Sequence, residues 1–156
     1  MIKELIRTVR QALENEGFAY VDYDKGQADE NQPKIKTPAG LVSITSLTNQ
    51  ESYRGLSYAL NATLQVRVID WVSGNSSSAA PRVQSDRWAS WYDRVNRCCN
   101  VLHSLYCSML PIKFKSCEFV RRDDNLQEAV IECECVIGYI SPDPRMATIE
   151  NVNVNR

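Results

Sequence analysis

LSYALNATLQVRVID, residues Leu56–Asp70, decides the fold. Leu56, Tyr58, Leu60, Ala62, Leu64, Val66 and Val68 alternate with Ser57, Ala59, Asn61, Thr63, Gln65 and Arg67. A sustained period of two marks a β-strand with one apolar and one polar face. At about 3.3 Å per residue the run reaches roughly 45–50 Å, against a usual strand of five or six residues. Part of it is therefore expected to project from the body of a small domain.

Upstream, Leu41–Leu47 is the expected antiparallel partner, joined through the polar turn TNQESYRG, so that residues 41–70 form a hairpin arm. Pro33 and Pro38 bracket its entry, and Pro38 predicts an edge or an unpaired start. Before that lie the strand-like FAYVDY (18–23) and the polar loop DKGQADENQP. Ile2, Leu5, Ile6, Val9, Ala12 and Leu13 predict an amphipathic helix over 2–16 that stops at Gly17.

Downstream, SGNSSSAAPRVQS (73–85) predicts a mobile polar loop, and Ser85 a cap for a helix over Asp86–Ser108 that Pro111 terminates. Its apolar face would comprise Trp88, Trp91, Tyr92, Val95, Cys98, Cys99, Leu102, Leu105 and Tyr106. Ile112–Arg121 and Leu126–Ile140 predict a closing hairpin joined by Arg-Asp-Asp-Asn. In its last strand Ala129, Ile131, Cys133, Cys135, Ile137 and Tyr139 face inward, and Glu132 and Glu134 face outward. The expected architecture is α+β: a mostly antiparallel sheet with a long projecting hairpin, packed against two helices. Residues 1–140 would form a single domain, with 141–156 a flexible C-terminal tail.

Composition agrees with one globular core: 156 residues, 44% hydrophobic, 24% charged and a net charge of −1. The near-neutral balance argues against a nucleic-acid binder. Charges in MIKELIRTVR interrupt any signal-peptide core, and no run approaches the ~20 apolar residues that span a bilayer. The expectation is no membrane association and assembly in the cytoplasm. All six cysteines lie between Cys98 and Cys135, and reduced thiols are expected.

Candidate chemistry is sparse. Cys133-x-Cys135 and Cys98-Cys99 have His103 as their only other soft ligand, so no metal is expected and the thiols read as core residues. Cys99 and Cys107 lie four residues on either side of His103, a pairing that could activate a nucleophile, but no third group or oxyanion loop accompanies it. Glu132 with Glu134, and Asp123 with Asp124, read as a solvated strand face and a turn rather than acid and base. Phosphate-binding glycine loops are absent, and no cofactor is expected. Lys113, Lys115, Arg121, Arg122, Arg87, Arg94 and Arg97 could make a basic stripe; a surface paired with Asp93, Asp123, Asp124 and nearby glutamates is the commoner outcome. Trp88, Trp91 and Tyr92 could stack bases, but their helical spacing favours core or subunit interface.

Taken in order, the helix Met1–Glu16, hairpin arm Leu41–Asp70, helix Asp86–Ser108 and closing hairpin Ile112–Ile140 resemble the tail-terminator (tail-completion) proteins of tailed bacteriophages. The resemblance covers residues 1–140 and lies in the order and size of elements; head–tail connector and tail-tube subunits share parts of the plan. It implies a non-enzymatic virion protein at the neck of the tail, forming a homo-oligomeric, commonly hexameric ring. Such a ring caps the tail tube, stops its polymerisation and meets a head–neck connector protein, while DNA passes without specific binding. The Asn-rich tail has no counterpart in that pattern.

Elementary physics also points to assembly, because an unpaired, weakly charged strand edge such as Leu56–Val68 invites pairing, and heterologous contacts with the right rotation close into a ring. The expected subunit contacts are Tyr53, Arg54, Leu56, Tyr58 and Leu60, with Arg87, Arg94, Glu132 and Glu134 as polar inter-subunit or lumen contacts. The rivals are a small cytosolic thiol-dependent enzyme using Cys99 or Cys107 with His103, and a dimeric adaptor using the same arm.

Overall fold

The computed structural model describes residues 2–30, 35–50, 58–71, 81–107, 110–122 and 126–140. The elements are α1 (Ile2–Asn15), β1 (Tyr20–Tyr23), β2 (Ala39–Gln50), β3 (Tyr58–Trp71), α2 (Pro81–Ser104), β4 (Tyr106–Cys107), β5 (Leu110–Pro111), β6 (Lys113–Val120) and β7 (Leu126–Ile140). The architecture is α+β. A five-stranded sheet runs β1-β2-β3-β7-β6, antiparallel except for the β1–β2 pair, and β4–β5 form a small separate ladder.

The helix α1 buries Leu5, Val9 and Leu13, one residue per turn on a single stripe. Gly17 ends it at φ 87°, where its N–H reaches Glu14 O at 3.0 Å and the Phe18 N–H reaches Leu13 O at 3.3 Å. That is a Schellman closure, and Phe18 packs against the core beside Leu13. Gly40 of β2 passes beneath this corner, where an added Cβ would lie 3.0 Å from Leu13 Cδ1. A side chain here would have to push the Leu13 methyl aside, so glycine suits the close approach of strand and helix end.

Both helices cover one face of the sheet. Beneath them Val42, Ala62, Leu64, Val66, Val68, Ala129, Ile131, Cys133, Cys135 and Ile137 join Trp91, Val95, Cys98 and Leu102 in the main core. The alternation along Leu56–Asp70 thus sorts as expected from Ala62 to Val68, even-numbered side chains inward and Asn61, Thr63, Gln65 and Arg67 toward the other face. The inward set of β7 is also as expected as far as Ile137.

The structure corrects the expected edge. β3 is the central strand: it pairs with β2 on one side and, from Tyr58↔Ile140 to Trp71↔Leu126, with β7 on the other. Twin partners satisfy its backbone, so the edges are β1 and β6. β2 is likewise internal, so Pro38 marks an unpaired strand start but no edge; its carbonyl accepts the Ala19 N–H at 2.9 Å. The outer half of the hairpin does extend beyond the helices, since Thr45, Ser46, Leu47 and Thr48 are exposed on both faces of β2.

The helix α2 also differs in its bounds. It begins at Pro81, whose missing N–H costs nothing in a first turn, so residues 81–85 are helical and Ser85 is not the cap. At the other end the Leu105 N–H bonds Leu102 O at 3.2 Å, a tightened last turn, and the chain leaves into β4 at Tyr106. Leu105 and Tyr106 had extended the apolar spacing past the true end. Of the predicted stripe, Trp91, Val95, Cys98 and Leu102 are buried, whereas Trp88 and Tyr92 are exposed.

On the opposite face, the loop after β1 closes over one end of the sheet. Ala28, Ala39, Leu41, Ile69 and Leu126 form a second small core. Next to it Arg67 donates from Nε to Glu128 Oε1 (2.6 Å), from Nη1 to Asp24 Oδ2 (3.1 Å) and from Nη2 to Asp29 Oδ1 (2.7 Å). Arg122 donates to Glu128 Oε2 at 2.7 Å and to Ala28 O at 2.6 Å. Glu128 is only 4% exposed, and such a charge is tolerable because both its oxygens are bonded.

Candidate functional site

Of the thiol reading's two candidates, Cys99 shares a groove with His103, and Cys107 does not. Cys107 is buried in the core, on the far side of α2's end from solvent. The His103 Nδ1 accepts the Phe114 N–H at 3.2 Å, which places the neutral ring's proton on Nε2 and leaves no free acceptor nitrogen to take a thiol proton. Among the described residues no group of three or more His, Cys, Asp and Glu could hold a metal ion, and no helix is long and apolar enough to cross a membrane.

The distinctive surface lies where α2 meets the edge strand β6. Phe114, Cys117 and Phe119 stand on the helix side of β6, and Tyr92, Cys99 and His103 come down from α2 to meet them. Between them runs an open, mainly apolar groove of about 410 Å³. An aromatic ridge continues from it: Trp88 and Tyr92 have ring centroids 6.1 Å apart, and Tyr92 meets Phe119 edge-on at 5.0 Å. Tyr92 is 48% exposed and Phe119 51%, so roughly half of each ring faces water. A cluster of aromatics at a surface is the composition of an interface core.

The sheet edge itself resists strand addition. β6 carries Lys113 and Lys115, and its register shifts between Phe114 and Ser116. Charge and a bulge are the usual devices that protect an edge. Contacts here would therefore be made by side chains packing on the ridge.

The predicted contact residues divide. Tyr53, Arg54 and Leu56 lie outside the described residues, as do the Asp123–Asp124 turn and the 141–156 tail. Tyr58 begins β3, opposite Ile140, and Leu60 is half-buried against the main core on the same face as exposed Leu47. Arg94 is held internally by Asp70 at 3.3 Å, and Arg87 lines a second depression beside it with Trp71 and Asp86. Glu132 and Glu134 face the open side of the sheet opposite Gln65 and Thr63, and Glu134 pairs with Lys115 at 2.5 Å. Arg97 lies 3.8 Å from Glu16. Arg94, Arg97, Lys115 and Arg122 are thus ion-paired, with Asp70, Glu16, Glu134 and Glu128, so the expected pairing with glutamates is present and Asp70 is an added partner.

Sequence reasoning missed the groove because Phe114 and Phe119 were read only as strand residues. It missed the Arg67 cluster although Arg67 is the one charge on a polar face of Asn, Thr and Gln, a signal that a partner must exist. Compared with protein-family models and with curated proteins, the sequence matches none.

Proposed function

We propose that this protein is the ring-forming tail-terminator subunit of a tailed bacteriophage, a structural protein that caps the tail tube, halts its polymerisation and joins it to the neck. The reading rests on the resemblance in element order and on one structural observation: among the described residues, apolar side chains stay exposed at two separate places. One is the Trp88–Tyr92–Phe119 ridge. The other is Leu47 on β2 at the hairpin end, 49% exposed and three strands away across the sheet, roughly 14 Å in the pairing direction.

Two different patches support a heterologous contact, in which the hairpin end of one copy seats on the ridge of the next. With the correct rotation such contacts close into a ring, hexameric by the resemblance. The paired outer strands replace the free edge as the driving feature: side chains, not backbone, would join the subunits. The polar sheet face of Asn61, Thr63, Gln65, Glu132 and Glu134 is suited to a solvated lumen, because carboxylates repel phosphate and let DNA pass without being held.

Negative-stain imaging of the purified protein, alone and with tail-tube protein, tests this. Annular particles, and tubes whose growth stops when the protein is added, are expected. Isolated 17.7 kDa monomers that leave tube growth unchanged would overturn it.

A further inference from the structure

Cys99 on α2 and Cys117 on β6 line the same groove from its two sides, both packed on the edge of the main core. Both are half-buried, so each keeps a path to solvent, whereas Cys98, Cys107, Cys133 and Cys135 are all 4% exposed or less. Six reduced thiols therefore fall into two environments. Burial pushes Cys98 to about 12, Cys133 to about 11 and Cys135 to about 12, which makes them inert. In the facing pair the interaction with the Cys117 thiol holds Cys99 below the usual thiol range and raises Cys117 itself.

We propose that Cys99 and Cys117 are a peroxide-oxidisable dithiol that closes to an intramolecular disulfide, tying α2 to β6 across the groove. The Cys99 thiolate attacks one oxygen of hydrogen peroxide; the O–O bond breaks, leaving Cys99 as a sulfenic acid and releasing hydroxide, which takes up a proton as water. Cys117 Sγ then attacks Cys99 Sγ, the S–O bond breaks, and the departing hydroxyl leaves as water with the Cys117 proton. In sum two thiols surrender two electrons and two protons to one peroxide, giving a disulfide and two waters. The groove is open enough for a peroxide, and the second thiol already stands beside the first, so closure competes well with further oxidation of the sulfenic acid. The inference does not depend on the ring reading.

Peptide mapping of the full chain tests it. The reduced protein, at submicromolar concentration, is treated with a few-fold excess of hydrogen peroxide, blocked with iodoacetamide and digested with trypsin without reductant. Tryptic Cys98–Lys113 should appear joined to Ser116–Arg121, two hydrogens lighter than their sum and separable by dithiothreitol. The linked peptide should vanish in both Cys99→Ser and Cys117→Ser and persist in Cys107→Ser. Mixing ¹⁴N and ¹⁵N protein before oxidation should give no mixed-isotope species. The proposal is overturned if wild-type Cys117 is recovered alkylated while Cys99 is oxidised to sulfinic acid, or if the link forms only between molecules.

Discussion

At one end of the sheet, Arg67 and Arg122 close on Asp24, Asp29 and Glu128, and no buried side-chain nitrogen or oxygen among the described residues lacks a partner. At the β6 edge, Trp88, Tyr92, Phe114 and Phe119 remain 38–51% exposed, with none of the described residues closing over them. The first region is internally complete and contributes to folding. The second leaves apolar surface in water, and the proposed ring would bury it against a neighbouring copy. Polar groups had to be settled within the chain because an unpaired buried charge is costly; half-exposed rings cost little alone and gain about 1.5–3 kcal/mol per side chain when a partner finishes the burial.

The contrast can be broken most strongly along α2 itself, where two tryptophans stand three residues apart. Trp91→Ala should destabilise folding by about 3–5 kcal/mol in urea unfolding, because Trp91 is 2% exposed. Trp88→Ala should cost about 1 kcal/mol or less. Equal costs would mean that the ridge is core. Next in size, Arg67→Met should lose about 2–4 kcal/mol: Glu128 stays buried with only Arg122 to balance it.

Tyr92→Ser with Phe119→Ser is expected to leave the unfolding midpoint nearly unchanged and to weaken self-association at least tenfold, about 1.4 kcal/mol, by analytical ultracentrifugation. Weaker still is the pH signature of the ionic cluster. The Arg67 guanidinium holds the Asp29 carboxyl below its ordinary 3.8. A depressed native value gives stability that is present above pH ~4 and lost as pH falls through the native value. Wild type should therefore lose stability more steeply below pH 4 than Asp29→Asn does. At the bottom of the scale, Lys115→Ala should barely move the midpoint, since both side chains of its pair with Glu134 are exposed at the surface.

Much of this was legible in the residues. Period two in Leu56–Asp70 and in Ala129–Ile137, and the Leu5/Val9/Leu13 stripe, announced elements and their inward faces because those patterns repeat locally. Strand order was not, since nothing in Leu56–Val68 says whether one neighbour or two will pair with it; that depends on β7, more than fifty residues away. The start of α2 was obscured by Ser and Ala around Pro81, which read as loop until packing extends the helix. Arg67's partners sit in a polar loop whose composition resembles any solvated turn. The groove needs Phe114 and Tyr92 to meet across a helix–strand junction, a relation that no spacing within one element encodes.

The most direct test is light scattering of the purified protein at micromolar concentration, before and after Tyr92→Ser with Phe119→Ser. A closed oligomer, a fixed multiple of 17.7 kDa, that falls to the single subunit in the variant is the predicted result. A wild-type protein that stays at 17.7 kDa across the whole concentration range would contradict the claim that its aromatic ridge is finished by another copy.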